Sequence, residues 1–497
     1  MTLPAKFVER VLRDLGGTEG AALCAALDAE PPVSVRLNPA KTGADTLPAG
    51  PDAGLPVPEA AGLPALAIAG RVPWSRDGRY LAVRPSFTLD PDFHAGAYYV
   101  QEASSQFVGH LLAAVRTEGA RILDLCAAPG GKTTLYASLA GPDGLVVANE
   151  IDRRRASVLA DNVRKWGTGN VAVTTCEPRA LGDFEAWFDV VAVDAPCSGE
   201  GMFRKDPDAR GEWSEGNVKQ CAARQDEILR EAWRALRPGG TLVYSTCTFN
   251  RDEDEGALER MAAWAGDEIA ESEETAVEDA WGIVCGRVGA FRTFRFYPHR
   301  TCGEGFFAAV ARKSFDAGGR VRAPKARRTV FAAVDRKTAG ELARWVRNPG
   351  GMHFAAVADT CYAWYAAQAD AVRTLSEALP VIYSGVALGQ VFKGVLKPDP
   401  ALAFFDGMNR GALPAAELDD EETLRFLRRQ DIAAGGLAEG MNLVCSRGRA
   451  LGFAKRIGAR VNNLYPNSLR IIKQLIWPIN FFIRWARWPR CSTSTRR

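Results

Sequence analysis

Between residues 121 and 244 short apolar runs alternate with longer mixed segments, and this alternation limits the fold more than any other feature of the chain. The runs at 121–125, 145–148, 171–174, 188–193 and 241–244 have strand length. The segments 132–139, 152–166 and 225–236 have helix length, and Pro238-Gly239-Gly240 stops the last of them. In 152–166 the residues Val158, Leu159, Val163 and Trp166 form the expected apolar stripe. A further helix, capped by Ser104 or Ser105, carries Phe107, Val108, Leu111, Leu112 and Val115 ahead of the first strand. Strands joined through helices pair in parallel, because a tight turn cannot connect parallel neighbours. The expectation is an α/β domain with a parallel or mostly parallel sheet.

Ligands of open α/β sheets bind beyond the carboxyl ends of the strands. Two predicted strands lead into cysteine motifs there: Asp194-Ala195-Pro196-Cys197-Ser198-Gly199 after 190–193, and Tyr244-Ser245-Thr246-Cys247 at the end of 241–244. Two thiols so placed point to covalent chemistry on an electrophilic substrate. One cysteine can attack, while the other, or Asp194, moves protons. A lone cysteine is more often a small buried apolar residue. Two at strand ends, one beside Asp194, fit that bland account poorly.

The first strand runs into Cys126-Ala127-Ala128-Pro129-Gly130-Gly131-Lys132-Thr133. Gly130 and Gly131 permit close approach of a ligand to the backbone, and the following helix offers unpaired N–H groups. A phosphate-binding P-loop ends the same way, in Gly-Lys-Thr. It needs a glycine five residues before Gly131, where this chain has Cys126, and Pro129 removes one N–H from the cradle. The turn therefore reads as a nucleoside site. Glu150, about 20 residues on, stands where doubly wound folds bind ribose hydroxyls. Asp152 suits a helix cap better. Glu177, after the next strand, is either an adenine-side contact or a surface acid.

Composition is that of an ordinary globular protein: 497 residues, 47% hydrophobic, 24% charged, net charge +3. The mildly basic balance permits a nucleic-acid partner without demanding one. The 11 cysteines include no Cys-x-x-Cys, so neither a zinc ribbon nor a disulfide framework is expected, and no metal site. Reduced thiols fit a cytoplasmic compartment. Residues 3–15 place Phe7, Val8, Val11, Leu12 and Leu15 at helical spacing, without the apolar core of a signal peptide. No run of 18 apolar residues predicts a membrane span.

The chain divides into five parts. Residues 1–95 form an α+β region with a first helix, a proline-rich stretch at 44–64, and strands near 34–38 and 80–83. Residues 96–313 hold the α/β domain. A basic run of Arg320, Arg322, Lys325, Arg327 and Arg328 opens a linker and first C-terminal domain at 314–378. Residues 379–466 contain β-like runs at 381–383, 443–445 and 451–454, the pattern of a small barrel. The tail, 467–497, mixes tryptophans with Ile and Phe and reads as lying outside the functional fold.

These motifs resemble the RNA (cytosine-5) methyltransferases of the Sun/Fmu family. The resemblance rests on 126–132, Asp194-Ala-Pro-Cys197 and Ser245-Thr-Cys247, in that order. Further stretches resemble the RsmF branch, which modifies small-subunit ribosomal RNA: 197–207, Tyr98-Tyr99-Val100-Gln101-Glu102, Pro298-His299-Arg300 with Gly303-Glu304-Gly305, 451–455 and 462–466. Glu177-Pro178 departs from the family's acid-Gly pattern, and so does the tail. The resemblance implies a Rossmann-like S-adenosylmethionine-dependent fold, an N-terminal RNA-binding region and a PUA-like C-terminal domain. It implies S-adenosylmethionine bound by 126–132, Glu150, Glu177 and Asp194. It assigns attack on cytosine carbon 6 to Cys247, loss of the carbon-5 proton and enzyme release to Cys197, and contact with the base to Asp194. Chemistry alone leaves the two cysteines interchangeable. The implied partner is RNA, ribosomal RNA or the 30S subunit, bound by a monomer away from membranes. Candidate RNA contacts are Arg36, Asn38, Arg204, Lys205, the run 320–328, and Lys455, Arg456 and Arg460.

Overall fold

The computed structural model describes residues 2–43 and 63–472. The central sheet takes its strands in chain order as β1 (Arg121–Asp124), β2 (Leu145–Asn149), β3 (Val171–Thr174), β4 (Phe188–Asp194), β5 (Leu236–Thr246), β6 (Val284–Val288), β7 (Phe291–Phe296), β8 (Phe306–Lys313) and β9 (Val381–Ser384). Their spatial order is β6-β7-β8-β5-β4-β1-β2-β3-β9, and a tenth, two-residue strand, Ile269–Ala270, pairs with the end of β8 off this path. The five middle strands are parallel, and β6, β7, β8 and β9 add antiparallel edges. The order in which strands are added reverses between β1 and β4, the switch point at which such sheets bind ligands. The apolar runs are continuous because both faces are covered. Leu123, Val147, Val191 and Leu242 pack on one face, and Ile122, Val146, Val190 and Val243 on the other.

Helix α1 (Gly131–Ala140) follows β1, α2 (Arg153–Trp166) follows β2, and α3 (Glu215–Ala235) precedes β5. Leu159, Val163 and Trp166 of α2 are buried as expected, but Val158 is 52% exposed, because its step around the helix carries it off that stripe. Helix α3 begins ten residues before the predicted start. Its first half buries only Val218, Cys221 and Ala222 among charged residues, too weak a stripe to stand out. The helix at 107–113 is entered through a turn at 104–106 whose amides, Ser104 and Ser105, are bound by Glu102 at 2.9 Å each, so the acid and not a serine caps it.

Two expected boundaries change. The run at 381–383 belongs to β9, which pairs with β3 of the central sheet and not with a barrel. The division at 378/379 falls within a five-stranded sheet that runs from Ala332–Ala333 to Val395–Pro398. A separate four-stranded sheet holds Ala415–Glu417, Gly440–Ser446, Arg449–Ile457 and Arg460–Asn463. Its core includes Ile471, so this unit continues past the expected end at 466. The rest of the tail, from 473, and most of the proline-rich stretch lie outside the described residues.

The N-terminal region is not set apart. Its helices Ala5–Leu15 and Gly17–Leu27 pack through Phe7, Val11, Leu23 and Leu27 onto Phe203, Trp213 and Phe249, beyond the two cysteines. Its four-stranded sheet ends in Tyr98–Tyr99, which leads toward the turn after β1. Among the described residues no helix is long and apolar enough to cross a membrane, and no group of three or more His, Cys, Asp or Glu is placed to hold a metal.

Candidate active site

Strands β4 and β5 pair in parallel with Asp194 opposite Ser245. That register carries the two motifs to the same edge of the sheet, and Cys197 Sγ lies 3.3 Å from Cys247 Sγ. The Cys197 thiol is held well above the ordinary thiol range, first by its hydrogen bond with Cys247 and then by burial. Either sulfur can be the donor of that pair. Ser245 Oγ donates to Asp194 Oδ1 at 2.8 Å, and Lys132 Nζ pairs with Asp194 Oδ2 at 2.8 Å. Burial pulls the Lys132 ammonium down, but Asp194, with Asp124 and Cys247, outweighs it and leaves the group raised overall and charged.

A buried polar network under the cysteines has almost no signature in the sequence. Glu253 is fully buried and accepts the Ser198 amide and Gln225 Nε2, both at 2.9 Å. Gln225 Nε2 also donates to the Pro196 carbonyl at 3.0 Å. One carboxylate thus ties down the residues on both sides of Cys197. Asn250 Nδ2 bridges Glu253 at 2.7 Å and Glu200 at 3.1 Å, and Glu200 accepts the Phe249 amide at 2.9 Å. On the other motif, Thr246 Oγ1 donates to Asp254, which pairs with Arg295 at 2.9 Å. The Cys247 carbonyl accepts the Gly201 amide at 2.8 Å. A side chain at Gly201 would sit 2.5 Å from the Gly305 carbonyl, which explains the glycine there. The one sequence signal is the charged run 250–255, and a charged run is by default solvated surface.

The side at the end of β1 is built from backbone. The 126–132 loop passes through Gly130 at φ +111°, a conformation open to glycine, and enters α1. The first intrahelical bond runs from the Thr134 amide to the Gly130 carbonyl, so the amides of Gly131, Lys132 and Thr133 lack an acceptor within the helix. The loop's carbonyls are held from behind: Ala128 by Arg155 at 3.1 Å, Pro129 by Tyr99 at 3.1 Å and Asn162 at 2.9 Å, and Gly131 by Arg36 at 3.1 Å. Ala127 is fixed by its amide to the Asn149 carbonyl at 2.8 Å. Burial pushes the Cys126 thiol far up, so it is a protonated, packed group. Asp124, below the loop, accepts from Thr133 at 2.6 Å, while its other oxygen is buried with no partner. Burial pushes Asp124 up to about 7.

Glu150 is buried at the end of β2. It accepts the Asp152 amide at 3.0 Å and pairs with Arg155 at 3.2 Å. Asp152 caps α2 through the amides of Arg154 and Arg155, at 2.8 and 2.9 Å. Glu177 is exposed at the start of the short helix Pro178–Gly182 and makes no side-chain capping bond. Its loop is held near Glu150 by Asn149, whose side chain binds the Cys176 amide at 3.1 Å and carbonyl at 3.0 Å.

Several expected RNA contacts are structural. Arg36 is 3% exposed, lies 4.4 Å over the Trp166 ring and donates to Gln101, Gly131 and Thr134. Asn38 is buried and donates to the Gly96 and Trp166 carbonyls. Arg204 is buried against Glu304 at 2.9 Å, with Lys205 at 3.9 Å from the same acid. Arg456 is tied to the carbonyls of Ala434 and Leu437. Arg328 donates to the carbonyls of Ser376 and Leu379. Lys205, Arg320, Arg322, Lys325, Arg327, Arg328, Lys455 and Arg460 remain exposed.

Residues 111–312 match the family model described as 16S rRNA methyltransferase RsmB/F. Residues 3–103 match the N-terminal domain of 16S rRNA methyltransferase RsmF, and 414–471 the methyltransferase RsmF PUA domain. The ribosomal RNA small subunit methyltransferase F of Shewanella loihica is 31% identical over 418 residues, 80% of this chain and 83% of that protein. The protein of that name from Escherichia coli O127:H6 is 33% identical over 425 residues, 80% and 84% of the two chains. A methyltransferase homolog from Pyrococcus horikoshii superposes with a TM-score of 0.51 at 27% identity, over 62% of this chain and 94% of its own. NSun6 from the same organism, crystallised with SFG, has a TM-score of 0.51 at 21% identity over 62% of this chain and 98% of its own, a likeness of fold.

Proposed function

Given that this chain belongs to the family of ribosomal RNA small subunit methyltransferases F, we propose that it methylates carbon 5 of a cytosine in 16S ribosomal RNA through a covalent adduct between Cys247 and carbon 6. The observation that carries this reading is the 3.3 Å pair of Cys197 and Cys247 beside the Lys132–Asp194 ion pair. Carbon 5 of cytosine is a poor nucleophile. Addition of a thiolate to carbon 6 changes that, because the electron pair of the 5,6 double bond moves toward carbon 5. S-adenosylmethionine supplies the electrophilic methyl group that carbon 5 then takes.

The residues divide the work. Asp194, oriented by Lys132 and Ser245, accepts from the cytosine amino group, and from N3 when that nitrogen carries a proton, and stabilises the adduct's charge distribution. In the second half Cys197 assists departure of the carbon-5 proton. The C–H electrons restore the 5,6 double bond, the carbon 6–sulfur bond breaks, and its electron pair returns to Cys247. The base must leave its stack to present both carbons.

The loop fits the methyl donor. The free amides at the start of α1 suit its carboxylate, Glu150 suits its ribose hydroxyls, and the 126–132 backbone leaves room at the switch point. Glu177 is assigned the adenine side. Bisulfite sequencing of ribosomal and transfer RNA from a deletion strain, complemented with the parent gene or with Cys247→Ala, tests the reading. One 16S cytosine that loses its methyl group and regains it only with the parent gene is the expected result. A change confined to transfer RNA would redirect the assignment, and no change would overturn it.

A further inference from the structure

Away from the cysteines a cavity of about 440 Å³ opens where three parts of the chain meet. Ala40, Lys41 and Ala95 come from the N-terminal region, Arg347 and 403–408 from the segments flanking the five-stranded sheet, and Arg410 and 448–450 from the C-terminal unit. Four cationic side chains line it, against one carboxylate, Asp406. The cations are fixed mostly by neutral oxygens. Lys41 Nζ donates to the carbonyls of Ala95 at 2.7 Å and Lys165 at 2.6 Å. Arg410 donates to the Gly448 carbonyl at 3.0 Å, and Arg347 to the Asp406 carbonyl. Arg449 alone is bound to an acid, Asp92, at 2.9 Å.

A carbonyl orients a cation without cancelling its charge. Folding has therefore gathered positive groups that repel one another around an open space. Burial brings the Lys41 pKa down to about 7; Asp406 opposes this, and Arg410, Lys165 and Arg449 add to the fall. Asp406 is the one carboxylate facing them; burial raises its carboxyl, and one of its oxygens has no hydrogen-bond partner. Such an arrangement is suited to an anion, and the volume lies within the range of small-ligand sites. The walls between the cations, Ala403, Phe404, Phe405 and Met408, are apolar.

We propose that this junction cavity binds phosphate groups through Lys41, Arg347 and Arg410. The source is either the backbone of the RNA substrate, which rests on the function proposed above, or free phosphate. The cavity is separate from the cofactor edge. The Lys165 carbonyl that holds Lys41 is at the end of α2, whereas Glu150 and Asp152 precede its start, and 14 residues of helix span about 20 Å. On the RNA reading, the phosphates bound here belong to nucleotides well removed from the target base.

The test compares the full-length protein with an Arg347→Ala/Arg410→Ala double variant, whose two side chains are exposed and outside the cysteine site. Thermal unfolding is followed across a titration with inorganic pyrophosphate, and RNA binding is measured at several salt concentrations. S-adenosylmethionine affinity, expected to be unchanged, reports that the fold is kept. The parent protein should gain thermal stability with pyrophosphate, and the variant should not. On the RNA reading the salt dependence should also become shallower, by roughly 0.7 for each phosphate that the variant no longer holds. A pyrophosphate response that the variant loses, with an unchanged RNA slope, would support the site and assign it to free phosphate. Equal behaviour of the two proteins in both assays would overturn the proposal even while the parent binds RNA. A parent that binds no RNA at any salt would sink the RNA substrate instead, leaving the pyrophosphate arm to decide the cavity.

Discussion

The two halves of the site are built in opposite ways. At the ends of β4 and β5 the groups assigned to chemistry touch one another: thiol to thiol, carboxylate to ammonium and hydroxyl. At the end of β1 the ligand side is backbone, and the side chains stand behind it, holding carbonyls in place. The first half depends on which functional group occupies a position. The second depends on the shape of a loop. Substitutions in the two halves should therefore fail differently, in rate on one side and in cofactor affinity on the other.

The largest effect is expected at the thiols. Cys247→Ala should abolish methylation, whereas Cys197→Ala should let attack proceed and block release, leaving a protein–RNA adduct that survives a denaturing gel. An adduct formed by Cys247→Ala would reverse the two roles. Next in size, Asp194→Asn should slow turnover roughly 100- to 1000-fold, the usual cost of losing a preorganised partner of developing charge, with cofactor affinity nearly kept. Glu150→Ala should do the converse. Calorimetry with S-adenosylmethionine on both variants decides this, and an equal loss of affinity would erase the distinction between the halves.

A smaller effect is expected one layer down. Glu253→Gln keeps the size of the side chain but weakens its bonds to the Ser198 amide and Gln225, and bonds to a charged group are worth about 1.5–3 kcal/mol. Turnover should fall roughly 10- to 100-fold by the same measure, with some adduct accumulating because Cys197 is the thiol displaced. Slower turnover with no adduct would mean that Glu253 serves the fold in general. The smallest effect concerns Asp124. Its carboxyl titrates near 7 in the folded protein against 3.8 ordinarily, so the folded state binds the extra proton between those values. Its contribution to stability is greatest below that window and is lost as pH rises through it. Asp124→Asn should flatten the decline of the melting temperature between pH 5 and 8, and parallel curves for the two proteins would refute the shift.

Legibility followed the range of the interactions involved. The strands at 145–148 and 171–174 and the Asp152 cap depend on near neighbours in the chain, and periodicity alone locates them to within a residue or so. The assignment of 381–383 to a barrel failed because a β-like run does not reveal its partner, and its partner is β3, some 200 residues earlier. That pairing also bears on shortened chains. A chain ending at Lys313 keeps every motif but loses β9 and the residues Trp364, Val372, Leu375 and Leu379 that pack on the sheet, so the truncation should destabilise the α/β domain rather than isolate it.

The sequence by itself determined the five parallel strands with the helices between them, the small-residue turn before α1 and the presence of one cysteine in each of two motifs, but not the antiparallel edges that β6 to β9 add. Those three features are set by local periodicity and by residue type, which need no knowledge of the distant chain. Only the tertiary structure decided which charges matter and where. Arg36 and Arg204 have the same side chain as the exposed Arg320, yet they are struts of the 126–132 loop and of the Glu304 loop. Glu253 sits in a charged run and is the fully buried anchor of Cys197. The physical reason is that burial and pairing are properties of a place, and that place is assembled from segments up to 95 residues apart in the Arg36–Gly131 contact and 100 in the Arg204–Glu304 contact.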